Sequence, residues 1–156
     1  MRVFLLALAL FSGSCVDTAL SLVVDVREAT IVVESDDEVS VDLTLDVRVG
    51  RFALAGDDFV VPRAGILVDE IGVTEVVLNR PEGFDGRLEP GESTVVRIQG
   101  TAPASAAPTA RAQLCGGGSA TVLVTWIADE QPDDPLDPPI RSMGNASLDT
   151  SMIVCE

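Results

Sequence analysis

Residues 39–49 read Val-Ser-Val-Asp-Leu-Thr-Leu-Asp-Val-Arg-Val, and this stretch decides the fold class. Apolar side chains stand at Val39, Val41, Leu43, Leu45, Val47 and Val49, with a polar one at every position between. A helix turns about 100° per residue and would scatter those six side chains round its circumference. On a strand, successive side chains point to opposite faces, so all six share one face. One face is dry and the other wet, the form of an antiparallel sheet lying over a core.

Outward from this strand the same period recurs. Leu20, Leu22, Val24 and Val26 alternate with Ser21, Val23, Asp25 and Arg27, and Ala29 to Val33 forms a second β-rich piece. Asp36-Asp37 is the expected turn before the long strand. Short strands are expected at Phe59 to Val61, Ile66 to Val68 and Val73 to Leu78, punctuated by Pro62, Gly65 and Gly72. Thr94 to Ile98 follows a Glu89-Pro90-Gly91-Glu92 turn. Ala120 to Ala128 is apolar on both faces and belongs in the middle of a sheet, and Met152 to Cys155 supplies a last strand. Residues 101–109 and 115–119 have the composition of loops. In residues 131–139, four prolines remove donors and restrict their neighbours, which ends any strand. No internal repeat and no convincing amphipathic helix is present.

Roughly seven to nine short strands with turns between them predict an all-β chain, a single antiparallel β-sandwich over residues 20–156. The segment Leu88-Glu-Pro-Gly-Glu-Ser-Thr-Val-Val-Arg-Ile98 resembles the proline-glycine turn and following strand of bacterial immunoglobulin-like and fibronectin-like domains. That resemblance covers eleven residues and implies an immunoglobulin-like sandwich, without implying a function. The immunoglobulin pattern of two core cysteines around a tryptophan is not matched. Trp126 lies between Cys115 and Cys155, but one cysteine is in a loop and the other is at the chain end.

The N-terminal residues have a different character. Met1-Arg2 is followed by nine apolar residues, Val3 to Phe11, and then by Ser12-Gly13-Ser14-Cys15. A positive charge, a short apolar run and small residues form the layout of a secretory signal, expected as a short helix over residues 1–14. The alternatives are a core helix or a membrane anchor, but spanning a bilayer takes about 20 apolar residues. The small residues ending in cysteine resemble the lipobox of bacterial lipoprotein precursors, with Ser12 standing where a larger aliphatic residue is usual. In that family the cysteine carries a diacylglycerol and becomes the new N-terminus. The resemblance therefore implies lipidation of Cys15, a short tether over 15–19 and a place in the bacterial cell envelope. Cleavage by an ordinary signal peptidase near Ser14 would instead leave a secreted soluble domain.

Three cysteines, Cys15, Cys115 and Cys155, leave one over in any pairing, and in an exported protein the odd one needs a reason. If Cys15 takes the lipid, Cys115 and Cys155 are free to pair in an oxidising compartment. Such a bridge contributes roughly 3–4 kcal/mol by the chain-entropy relation. Two free buried thiols are the rival reading.

Charge and composition restrict what the domain does. All 10 basic residues are arginine, histidine is absent, and 25 acidic residues bring the formal charge to -15. A surface of that sign repels phosphate backbones, so nucleic acid is excluded as a partner. It also holds the domain off an anionic bilayer unless something covalent tethers it. The sequence contains no histidine, lysine or tyrosine, so the usual general bases and activated nucleophiles are missing, and no enzyme is expected. A hydrolase using two carboxylates stays formally open, because that mechanism depends on separation in space. Asp129, Glu130, Asp133, Asp134 and Asp137 crowd one loop. Calcium takes six to eight oxygen ligands, so these five are candidate metal ligands, although their spacing matches no EF-hand. Asn145-Ala-Ser147 fits the glycosylation acceptor pattern, which in a bacterial host is chance. Trp126 is a candidate glycan platform or, more often for a tryptophan in an apolar strand, core.

The reading that results is a non-enzymatic envelope lipoprotein with a binding or structural β-sandwich, needing no cofactor and meeting the membrane through its anchor. Its protein or glycan partner is not legible. The rivals are a calcium-dependent adhesion or carbohydrate-binding module and the carboxylate-pair hydrolase.

Overall fold

The computed structural model describes residues 22–34, 38–51, 53, 55–81, 83–103, 109–131, 136–149 and 152–156. The expected signal helix over 1–14, Cys15, the 15–19 tether, the Asp36-Asp37 turn, Asp133 and Asp134 all lie outside these residues.

The all-β class is what the chain adopts. Eight strands occur in the order β1 (Leu22–Val33), β2 (Val39–Val49), β3 (Gly56–Val68), β4 (Ile71–Leu78), β5 (Ser93–Ala102), β6 (Ala120–Glu130), β7 (Ile140–Asp149) and β8 (Met152–Cys155). One short helix, α1 (Ala110–Leu114), precedes β6. In β2 the period-two pattern is obeyed to the last residue, and all six apolar side chains from Val39 to Val49 are buried.

Two strands are longer than their sequence patterns suggest, and bulges explain both. In β1 the register against β2 shifts between Val26 and Glu28. A bulge inserts one residue and flips the facing of everything after it. The buried set accordingly changes from Val24 and Val26 to Ala29, Ile31 and Val33, so two apparent pieces are one strand. β3 runs through Pro62, with register shifts against β6 on both sides of Val60. Pairing with β4 begins only at Arg63. Proline therefore sits where no ladder bond is demanded of its missing N–H.

The strands hydrogen-bond in a single order, β7-β6-β3-β4-β5-β2-β1-β8, not in two separated sheets. Within this order two blocks are extensively paired, β8-β1-β2-β5 and β4-β3-β6-β7. Among the described residues they are joined by two residue pairs, Val77 with Thr101 and Leu78 with Gly100, and by the bond from Asn79 N–H to the Gln99 carbonyl. The two ends of the order must also meet. Only residues 150 and 151 separate β7 from β8, a link that reaches about 10–11 Å. In an open sheet those strands would stand seven spacings, roughly 33 Å, apart. The sheet is therefore folded over at its thin joint, and β8 closes it by pairing in parallel with Thr30 to Val33 of β1.

The core lies between the two walls. Val41, Leu43 and Leu45 of β2 and Val96 and Ile98 of β5 belong to the same cluster as Ile66 of β3 and Val122 and Val124 of β6. β6 lies between β3 and β7, in the sheet interior as its two-sided apolarity predicts. The strand with no sequence signal is β7. Its half-buried positions are Ser142, Gly144, Ala146 and Leu148, the first three small, and Gly144 lies opposite Trp126. A Cβ on Gly144 would come within 2.6 Å of Trp126 Cε2. Trp126 itself is buried and stacks on Phe59 with centroids 6.5 Å apart.

Candidate functional site

The acidic loop proposed as a cation site starts at the end of β6. Strand alternation puts Asp129 and Glu130 on opposite faces. Asp129 points outward, where Arg141 of β7 holds its carboxylate with both Nε (2.9 Å) and Nη2 (3.3 Å). Glu130 points inward, is buried, and accepts a hydrogen bond from the Ser142 hydroxyl. Asp137 lies at the exposed end of the loop, and Asp133 and Asp134 fall outside the described residues. Among the described residues no three acidic, cysteine or histidine side chains are grouped to hold a metal ion.

The Asp129 carboxyl is held below the usual carboxylate range, chiefly by its hydrogen bonds from Arg141; desolvation opposes this, and the charge of Arg141 adds a smaller lowering. A depressed acid stabilises the folded state above its unfolded pKa, and that contribution fades as pH falls through the lower folded value. Carbon-detected NMR titration should therefore place the Asp129 midpoint below the ordinary aspartate value of 3.8. In an Arg141→Gln variant it should return towards that value. A midpoint unmoved by the substitution would contradict the assignment.

Cys115 and Cys155 form a disulfide with Cα atoms 6.1 Å apart. It ties the end of α1 to the last residue of β8. Arg111 on α1 reinforces this corner, donating from Nη1 to the Glu34 carbonyl at 2.8 Å and from Nη2 to the Glu156 carbonyl. Ala110 and Leu114 of α1 are buried in the core, so the helix plugs one end of the folded sheet. Among the described residues no helix is long and apolar enough to cross a membrane.

Trp126 offers no ring face to solvent, and its partners are Phe59 and Gly144. Asn145 is exposed on β7 and accepts from the Thr125 hydroxyl at 3.0 Å.

A feature with no sequence signal lies at the joint between the blocks. A concavity of about 430 Å³ is lined by Asp42 of β2, Arg97 and Gln99 of β5, and Asn79 and Arg80 just beyond β4. Alternation along β2 and β5 turns Asp42, Arg97 and Gln99 to the outer face. The backbone bond from Asn79 N–H to the Gln99 carbonyl, 2.8 Å, sets Arg80 beside them. Asp42 accepts from Gln99 Nε2 at 2.9 Å. On the other side of Arg80 a more apolar hollow of about 240 Å³ is lined by Val60, Pro62, Leu78 and Pro81.

No family model and no curated protein matches the chain. Among solved structures it is similar to a protein from Archaeoglobus fulgidus, at 13% identity and a TM-score of 0.38, over 86% of this chain and 99% of that one.

Proposed function

We propose that this chain is an exported bacterial envelope lipoprotein, anchored through Cys15 and carrying a non-catalytic, immunoglobulin-like β-sandwich used for binding. The observation that carries the reading is the Cys115–Cys155 bond. Disulfides persist in oxidising compartments, which favours export. The bond also uses two of the three cysteines and leaves Cys15, at the end of the signal-like segment, as the one available for lipid. A formal charge of -15 gives the domain no affinity of its own for an anionic bilayer, so a covalent tether fits its chemistry.

The immunoglobulin-like reading is supported by the pairing pattern. In that topology the first, second, fifth and fourth strands form one layer and the third, sixth and seventh the other. Here β1-β2-β5 and β3-β6-β7 follow that division, while β4, which stands between them in the order, pairs chiefly with β3, over six residue pairs against two with β5. A non-catalytic role is supported by composition, because the chain has no histidine, lysine or tyrosine to act as base or nucleophile.

The test is intact-mass spectrometry of the chain expressed with its N-terminal segment in a bacterial host. The expected product begins at Cys15, carries a diacylglycerol-sized increment and partitions into detergent. Cys15→Ala is expected to lose the increment. An unmodified N-terminus on the wild-type chain would overturn the anchor.

A further inference from the structure

We propose that the concavity at Arg80 and Arg97 is a docking site for an extended, carboxylate-bearing peptide segment of a partner protein, which adds as a strand to the open edge of β5.

The first observation concerns charge. In this acid-rich chain arginines find carboxylates readily. Arg27, Arg48, Arg63, Arg87 and Arg141 each lie within 4 Å of an aspartate or glutamate. Among the described residues Arg80 and Arg97 have no such partner, yet both line the same concavity. Asp42, the acid that lines the concavity, is bonded to Gln99. Two guanidinium groups without partners present forked donors that match a carboxylate in plane and spacing. The chain's overall negative charge does not prevent this, since at physiological salt repulsion is screened beyond about 8 Å.

The second observation concerns backbone. Gln99 turns its carbonyl towards β4, where Asn79 N–H donates to it. β5 runs in unbroken register with β2, so alternate residues face alternate edges. The N–H and C=O groups of Arg97 and Val95 therefore point to the same edge as those of Gln99. Among the described residues β4 pairs with β5 only at Gly100 and Thr101. Beyond Asn79 no strand among the described residues pairs with the edge from Ser93 to Arg97; a hollow of about 300 Å³ lies there between Thr94 and the segment at Phe84 and Asp85, and Val95 is 54% exposed. An unpaired edge is a template for a further strand, in which main-chain bonds give affinity and side-chain pockets give specificity. Those pockets are at hand: the arginines for a carboxylate and the hollow on the other side of Arg80 for an apolar side chain. A glycan is the less suitable occupant, because no aromatic side chain among the described residues lines the concavity.

The probe is a fluorescein-labelled, end-blocked octapeptide of alternating valine and glutamate, titrated against the full chain by fluorescence anisotropy. Saturable binding is expected, and Arg80→Gln/Arg97→Gln together should weaken it at least about tenfold, since charge-assisted hydrogen bonds are the strong ones. The glutamine analogue should be weakened to a similar degree. A glutamate peptide N-methylated at every second residue should also bind poorly, having lost its ladder donors while the protein is untouched. The double variant should melt as wild type does, because neither arginine packs in the core. Cys15→Ala should bind the probe normally, which separates this site from the anchor. Equal affinity for the glutamate and glutamine peptides, or for wild type and double variant, would overturn the proposal. Tight N-methylated peptide would remove the strand-addition geometry. Binding of an oligogalacturonate in place of the peptide would make the site a glycan site.

Discussion

Replacing Cys115 and Cys155 together by alanine is expected to lower the unfolding free energy by about 3–4 kcal/mol, the loop-closure entropy of a cross-link spanning 40 residues. For a domain of this size that corresponds to a fall in melting temperature of roughly 10 °C. The position of the bridge makes the full effect reasonable. β8 has only four residues and pairs with β1 over four positions, so few ladder bonds hold the strand that closes the folded sheet. The disulfide fastens its last residue to α1, whose Ala110 and Leu114 are themselves in the core. Urea denaturation of the double variant, and of wild type with and without reductant, measures the effect. The two perturbations should agree. An unchanged midpoint in both would show that the corner is held by Arg111 and the packing of Leu114 rather than by the cross-link.

The same corner shows how far residue patterns carry. β2 is legible because every inward position is apolar and every outward one polar, and no bulge interrupts it. In β1 and β3 the pattern is real but phase-shifted, and a change of phase reads as a break when only alternation is considered. β7 is illegible for a different reason. Its inward positions are Ser142, Gly144, Ala146 and Leu148, with Gly144 opposite the large Trp126 ring, so only the last of them is a large apolar residue and the strand carries no clear apolar period. Helix α1 is only five residues long, too short to show a face.

Site residues follow the same logic. Asp129 and Glu130 look like a pair in a list of acids, but adjacent residues on a strand face opposite ways, and the structure gives one to Arg141 and the other to Ser142. Arg80 and Arg97 are seventeen positions apart in sequence and meet only because β4 and β5 touch at their ends. Local pattern has no means of expressing that meeting. What alternation does show is that Arg97 lies on a wet face.

The joint that brings them together rests on one glycine, and Gly100→Ala is expected to cost about 3 kcal/mol, the upper part of the range for overpacked cores. Gly100 is buried in β5 opposite Leu78. A Cβ there would overlap the Val77 carbonyl oxygen, and would come 2.9 Å from Leu78 Cδ2 and 3.0 Å from Leu78 Cα. Two of those three atoms are backbone, so no rotamer change relieves the contact. The alternative is for β4 to lift from β5, which breaks the two residue pairs joining the blocks and disturbs the buried Leu78 side chain. Gly72 provides the control, since a Cβ there meets nothing within 4 Å. Gly72→Ala should leave stability within about 0.5 kcal/mol, as surface substitutions usually do. Denaturant titration of the two variants reads the difference directly, and equal midpoints would mean that the blocks do not depend on this contact. Because Asn79 and Arg80 follow directly on β4, the alanine variant should also loosen the octapeptide complex, whereas Gly72→Ala should bind it as wild type does.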